Sequence, residues 1–264
     1  MILLSLGKEP GATSATSPRS LVRPSTGAED RSAPLPSRIE LSLYEISTWI
    51  IPLVIAITFH EAAHGYIARL FGDKTAWLAG RVSFNPLKHI DPFGTVLLPA
   101  LLLATHSPFL FGYAKPVPVN FRALRDPKRD TAFVAAAGPA MNFALAILSA
   151  LLIRLVPSLR PGASVWAAET LNNALIINVL LAVFNLLPIP PLDGGRILVG
   201  LLPDGLSRAL ASLESYGMML VIVALLVLPL LGPQIGLDLN FVWRFVAQLT
   251  DDIVGGVLWL TALR

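Results

Sequence analysis

Cysteine is absent from the 264-residue chain, which excludes disulfides, thiolate metal ligands and thiol nucleophiles. Any bound metal must therefore be held by nitrogen and oxygen. Charge is also scarce. Only 14% of residues are charged against 54% hydrophobic, and a mean hydropathy of +0.67 is too apolar for an ordinary soluble domain. No basic patch with interleaved aromatics occurs, so the net charge of +3 and the pI near 9.4 speak to membrane topology and not to a nucleic-acid partner. There is no repeat of fixed period, which excludes solenoid architectures. These absences describe an all-α polytopic membrane protein, a bundle of about 4–6 transmembrane or re-entrant helices with short loop or β segments.

Three parts are expected along the chain. Residues 1–40 are rich in Pro, Ser, Thr and Ala and cannot bury enough apolar surface to offset their ordering entropy, so they read as a disordered tail. Residues 41–231 hold the apolar stretches and form a membrane-embedded core. Residues 232–264 place Arg244, Asp251 and Asp252 among Trp243, Trp259 and other apolar residues, which suits an amphipathic segment better than another full span. Leu206, Leu210 and Leu213 suggest a short interfacial helix before the last apolar stretch.

The first apolar stretch, Leu41–Leu70, carries the chemistry. Within it stands His60-Glu61-Ala62-Ala63-His64, at a depth where ionisable side chains are expensive and therefore mark function. On a helix His60 and His64 lie one turn apart on one face, about 6 Å along the axis, and two imidazoles so placed can share a metal ion. Glu61 projects beside them and can take a proton from water at that metal. Five-residue motifs also recur by chance, so the pattern needs a third donor. Glu61, Gly65, Ala68 and Gly72 form a mostly small stripe suited to close packing of another helix, or are simply composition.

Downstream, Asn85-Pro86-Leu87-Lys88-His89-Ile90-Asp91-Pro92 reads as a loop, with His89 a hydrogen-bonding residue before a ligand. Phe93–Gly112 is apolar but interrupted by Pro99 and Pro108, with His106 near its end. Arg122, Arg125, Lys128 and Arg129 then form the densest basic run. In the apolar stretch Thr131–Val156, Asn142 shares a small face with Ala135, Gly138, Ala146 and Ser149; a lone intramembrane Asn is commonly a helix–helix contact. In Leu171–Leu187, Asn178, Ala182 and Asn185 share a face. That helix breaks at Pro188-Ile189-Pro190-Pro191, and Asp193 follows on flexible, glycine-flanked backbone at the edge of a wet cavity. A turn aspartate is often only a turn former. Here it is also the best-placed oxygen donor in a chain that has two histidines and lacks a third ligand.

Taken in order, His60-Glu61-Ala62-Ala63-His64, Gly138-Pro139-Ala140-Met141-Asn142 and Asn185-Leu186-Leu187-Pro188-Ile189-Pro190-Pro191-Leu192-Asp193-Gly194 resemble the site-2 protease family of intramembrane zinc metalloproteases. The resemblance includes the Asn-Pro-Leu-Lys-His-Ile-Asp-Pro segment and covers roughly Ser47–Pro203, with no room for an inserted PDZ domain. It implies one Zn2+ per chain held by His60, His64 and Asp193, Glu61 as general base, and Asn142 and Asn185 on the substrate strand or the oxyanion. It also implies a transmembrane protein substrate in a lipid bilayer, and regulated intramembrane proteolysis. A membrane metal transporter using the same His/His/Asp site is the alternative, although it needs further ligands along a path and His106 is the only spare intramembrane histidine.

Topology adds a constraint. His60 and His64 near the end of the first stretch and Asp193 after Leu171–Leu187 must face one side, so one intervening stretch does not cross. The proline-interrupted 93–112 is the better candidate for a re-entrant hairpin. Loops 73–92 and 113–130 then lie on the same side as Asp193, and their Lys and Arg excess makes that side cytoplasmic, in a bacterial cell membrane. The basic tail falls on the opposite side, against the rule.

Overall fold

The computed structural model describes residues 2–5, 43–97, 101, 109–112 and 114–261. The first helix, α1 (Leu43–Leu70), carries Glu45 in its first turn and Arg69 in its last, each charge complementing the helix dipole. The chain turns through the single helical turn α2 (Thr75–Leu78) and an irregular region to α3 (Pro127–Ile153). Asp126 caps α3 by accepting from the Arg129 amide at 3.2 Å, and Pro127 fits the first helical position because no intrahelical donor is needed there. Helix α4 (Pro161–Asn185) also starts on a proline. It begins ten residues before the apolar stretch expected from Leu171. Its polar first turns belong to the helix because they dock on the start of α1, where Trp166 Nε1 donates to Ser47 Oγ at 2.9 Å and Asn173 Nδ2 to the Thr48 carbonyl at 3.1 Å.

After a proline turn come α5 (Asp193–Leu201) and α6 (Asp204–Ser212). Helix α7 (Glu214–Ile222) continues through a π-helical turn (Val223–Val227), α8 (Leu228–Leu231) and a 3-10 turn (Gly232–Ile235) as one apolar rod. Helix α9 (Phe241–Leu260) buries Val246, Thr250 and Val257 on one face, and packs against α4. Among the described residues four helical runs are long and apolar enough to cross a membrane: Leu43–Leu70, Pro127–Ile153, Pro161–Asn185 and Glu214–Ile235. Their outward side chains, among them Ile51, Ile55, Leu148 and Ile176, are apolar and exposed. That surface suits hydrocarbon as its solvent.

α3 is the central helix. It packs on α1, α4 and α5. The largest core cluster joins Ala146 and Ala150 of α3 to Leu175, Val179 and Val183 of α4 and to Val246 of α9. Ala56 of α1 meets Ile177 and Leu181 of α4.

The region between α1 and α3 leaves and returns at the same end of α1. The Arg125 amide donates to the Phe71 carbonyl at 2.9 Å. Asp73, only 1% exposed, receives the Thr75 amide and hydroxyl on Oδ1 and the Asn120 amide on Oδ2 at 2.7 Å. Residues 72–124 therefore make no net crossing, and α1, α3 and α4 run alternately. Within that region Pro92–Leu97 is a π-helical turn and β2 (Phe109–Gly112) is a strand, so the described part of 93–112 is not a continuous helix. Pro99, His106 and Pro108, on which the re-entrant expectation turned, lie outside the described residues.

One difference concerns the tail. Ile2–Ser5 forms β1 and pairs antiparallel with β2, Ile2 opposite Gly112 and Ser5 opposite Phe109. A strand edge presents unpaired backbone groups, and a short apolar segment such as Ile-Leu-Leu-Ser can satisfy them. The rest of the stretch expected to be disordered lies outside the described residues.

The turn between α4 and α5 differs in kind from the expectation. Asp193 is the first residue of a helix and is buried, not carried on flexible backbone. Gly194 and Gly195 are needed for close approach: a Cβ on Gly194 would stand 2.1 Å from the Leu186 carbonyl oxygen, and one on Gly195 2.2 Å from the Pro190 nitrogen. Helix α5 therefore lies directly on the proline turn, which fixes the height of Asp193. Outside the spans, Lys128 Nζ bonds Asp204 Oδ1 at 2.6 Å, tying α6 to α3 and holding the Asp204 carboxyl below the usual carboxylate range.

Candidate active site

Two helices, α1 and α5, bring one donor set together. His60 and His64 on α1 place their Nε2 atoms 3.1 Å apart. Asp193 Oδ2 lies 3.2 Å from His60 Nε2 and 3.4 Å from His64 Nε2. Ligands arranged tetrahedrally at roughly 2.0–2.1 Å from zinc stand about 3.3–3.4 Å from one another. The observed edges match that spacing.

The hydrogen bonding of the two imidazoles points the same way. His60 Nδ1 donates to Asn142 Oδ1 at 2.5 Å, and His64 Nδ1 donates to the Val134 carbonyl at 2.7 Å. Each ring thereby carries its proton on Nδ1 and turns an Nε2 lone pair to the centre of the triangle, the outer-shell arrangement of metal-bound histidine. Asp193 Oδ2 is buried without a hydrogen-bond partner. Two lone pairs and an orphaned carboxylate oxygen converging within 3.1–3.4 Å repel one another unless a cation lies between them. Space is reserved for it: a Cβ on Gly138 of α3 would fall 2.4 Å from His64 Nε2 and 2.5 Å from His60 Nε2. Among the described residues this is the one group of three or more His, Asp and Glu side chains that can hold a metal. The residues fit a zinc ion.

Glu61 lines the same cavity, of about 380 Å3, and its Oε2 accepts the Val117 amide at 2.8 Å. Asn185 lines it as well, with Nδ2 donating to the Leu181 carbonyl at 2.9 Å. Asn142 does not. It is fully buried, its Oδ1 is taken by His60, and its Nδ2 donates to the Ala56 carbonyl at 3.2 Å and to Asn178 Oδ1 at 2.9 Å. Both polar atoms of the Asn142 amide are thus engaged within the protein, and the residue stands behind His60. His89, 3% exposed, bonds the Ser83 carbonyl through Nε2 and stays outside the metal group.

Sequence reasoning missed two features. The Val117 contact arises from a loop whose sequence shows only alternating prolines, and nothing local points at Glu61. The small stripe on α1 meets loops as well as a helix: Gly65 faces Val82 and Val117, while Ala68 packs with Leu124 and with Val134 of α3.

A paired-histidine helix, a carboxylate delivered from a helix beyond the third span, and a glutamate in the shared cavity define a membrane zinc metalloprotease. The chain belongs to peptidase family M50, whose family model matches residues 48–162 and 156–229. No PDZ domain interrupts it. Among curated proteins it is similar to YwhC of Bacillus subtilis, 40% identical over 187 residues that span 69% of this chain and 80% of that protein. It is also similar to Rip2 of Mycolicibacterium smegmatis, 33% identical over 75% of this chain and 72% of that one, and to MJ0611 of Methanocaldococcus jannaschii, 29% identical over 59% and 72%. All three relatives bear zinc metalloprotease in their names. No solved structure matches. With the four apolar spans, the family makes this an integral membrane protein.

Proposed function

We propose that the protein hydrolyses a peptide bond within or beside the transmembrane segment of a membrane-protein substrate, with one zinc held by His60, His64 and Asp193. The carrying observation is the convergence of three donor atoms at zinc-ligand spacing around an orphaned carboxylate oxygen, beside Glu61. Bound zinc supplies polarisation of the scissile carbonyl and acidification of the attacking water. Glu61 takes the water's proton and later passes a proton to the leaving amine. The Val117 amide on Oε2 holds one end of this carboxylate, leaving Oε1 for the proton. Asn185 presents its amide to the substrate strand or the developing oxyanion, while Asn142 orients His60.

A substrate helix must unwind locally, because its carbonyls are otherwise engaged in intrahelical bonds. The cavity opens at the end where α1 finishes and α3 begins, the end that carries Lys74, Arg81, Arg122, Arg125 and Lys128. By the positive-inside rule that end is cytoplasmic, in the cell membrane, and cleavage there suits regulated release of a cytoplasmic fragment.

The test uses purified full-length protein with a single-span substrate in detergent micelles. Glu61→Gln is expected to retain one zinc per chain and lose cleavage. Cleavage at the unsubstituted rate by Glu61→Gln refutes the assignment of the base.

A further inference from the structure

The segment 80–91 has no part in the mechanism above, yet it is tied tightly to itself and to the strand of loop that touches Glu61. Gly80 takes a left-handed turn at φ +64, and Lys88 Nζ donates to its carbonyl at 2.9 Å. Arg81 then spreads its guanidinium over three carbonyls: Nη1 donates to Lys88, and Nη2 to Lys115 at 2.9 Å and Pro116 at 3.3 Å. The Lys115 amide donates back to the His89 carbonyl at 2.9 Å. Lys115 is thus held by both its N–H and its C=O.

Two residues on, the Val117 amide donates to Glu61 Oε2 at 2.8 Å. Pro116 and Pro118 lack N–H groups, so Val117 carries the single backbone donor in residues 116–118. The prolines also restrict backbone rotation, including that of the preceding residue, so the direction of the Val117 N–H follows from where the Lys115 and Pro116 carbonyls are fixed. The loop seats on α1 one turn beyond Glu61. There a Cβ on Gly65 would come within 2.7 Å of Val82 Cγ2 and 3.1 Å of Val117 Cγ1, so both loop strands lie against helix backbone.

We propose that Arg81 is a positioning residue for Glu61: by clamping the Lys115 and Pro116 carbonyls it aims the Val117 N–H at Oε2 and so holds the general base in place. The inference rests on Glu61 acting as the base. Arg81 touches no reacting atom, and its effect is transmitted through one backbone hydrogen bond.

The test is a cycle on the zinc-loaded full chain, with Arg81→Ala, Arg81→Lys, Val117→Pro and the Arg81→Ala/Val117→Pro double variant. Misplacing a catalytic group by about 1 Å costs on the order of 100-fold, so Arg81→Ala and Val117→Pro are each expected to lower kcat about 10- to 100-fold, with KM and zinc content unchanged. Arg81→Lys, which can reach one carbonyl, recovers part of the loss. The double variant falls no further than the worse single one, because both remove the same bond. An independent readout is hydrogen exchange of the peptide covering residues 114–119 in metal-free protein. One amide, that of Val117, loses protection in Arg81→Ala and in Glu61→Ala alike. Losses that multiply in the double variant, full kcat in Arg81→Ala, or a Val117 amide still protected in Arg81→Ala overturn the inference while Glu61→Gln stays inactive. Activity in Glu61→Gln overturns instead the reading on which it rests.

Discussion

Gly138→Ala is the sharpest single test of the metal centre, because it adds one methyl group and nothing else. On helix propensity alone the change is favourable by roughly 1 kcal/mol. The structure reverses that sign. The new Cβ would lie 2.4 Å from His64 Nε2, 2.5 Å from His60 Nε2 and 2.6 Å from His60 Cε1. Ordinary contact between such atoms is about 3.5 Å, so the methyl overlaps both rings by about 1 Å. The rings can escape only by rotating, which breaks His60 Nδ1 to Asn142 and His64 Nδ1 to Val134, each worth about 1 kcal/mol, and destroys the spacing of two donors. Loss of outer-shell support costs roughly 10- to 100-fold in metal affinity for each ligand. Zinc affinity should therefore drop at least about 100-fold, measured by competition with a chromophoric chelator, and cleavage should disappear at limiting zinc. Gly255→Ala on α9, where a Cβ meets nothing within 4 Å, is the matched control and should bind zinc normally. Unchanged zinc affinity in Gly138→Ala would refute the placement of the ion between the two Nε2 atoms.

Other outcomes follow from the same geometry. Asn142→Ala should lower zinc affinity about 10- to 100-fold, by freeing the His60 ring, with KM for substrate unaffected once zinc saturates; a KM effect at saturating zinc restores the substrate role. Asp193→Asn should weaken zinc further, because it removes the only anionic donor of the three, and equilibrium dialysis should show substoichiometric metal at concentrations that fill the parent site. Stripping zinc with a chelator should lower thermal stability, since zinc at 100 times its Kd contributes about 2.7 kcal/mol to the folded state; an unchanged melting temperature counts against a site formed by α1 and α5 together. Reporter fusions at residues 120 and 160 should fall on opposite sides of the membrane, and the same side for both contradicts the alternating arrangement of α1, α3 and α4.

The donor set was readable in the sequence because each member leaves a local mark. The i, i+4 histidines stand in an apolar run, and Asp193 follows three prolines that no membrane helix continues through. The topology followed from requiring that they meet, since both ends then had to share a side. What stayed hidden was set by tertiary approach. Asn142 reads as an intramembrane amide whether it faces a substrate or a histidine, and its bonds to His60, Ala56 and Asn178 are visible only in the tertiary structure. Gly138 reads as part of a small helical face and Gly194 and Gly195 as backbone flanking Asp193, and the atoms they make room for are known only from the tertiary structure. The early start of α4 at Pro161 escaped hydropathy because its first turns are polar, and docking on α1 overrides that pattern.

Splitting the donors between α1 and α5 has a consequence in time. His64 and Asp193 are 129 residues apart (193 − 64). At roughly 5–20 residues per second of synthesis, about 6–26 s separate them. During that interval α1 is already made, with two histidines and a glutamate but no anionic partner to complete the triangle. With His60, His64 and Asp193 as the proposed ligands, the metal site is complete only once α3 and α4 have been made and α5 has settled on its proline turn. On that proposal, the order of residues along the chain leaves the site without its third donor until late in synthesis.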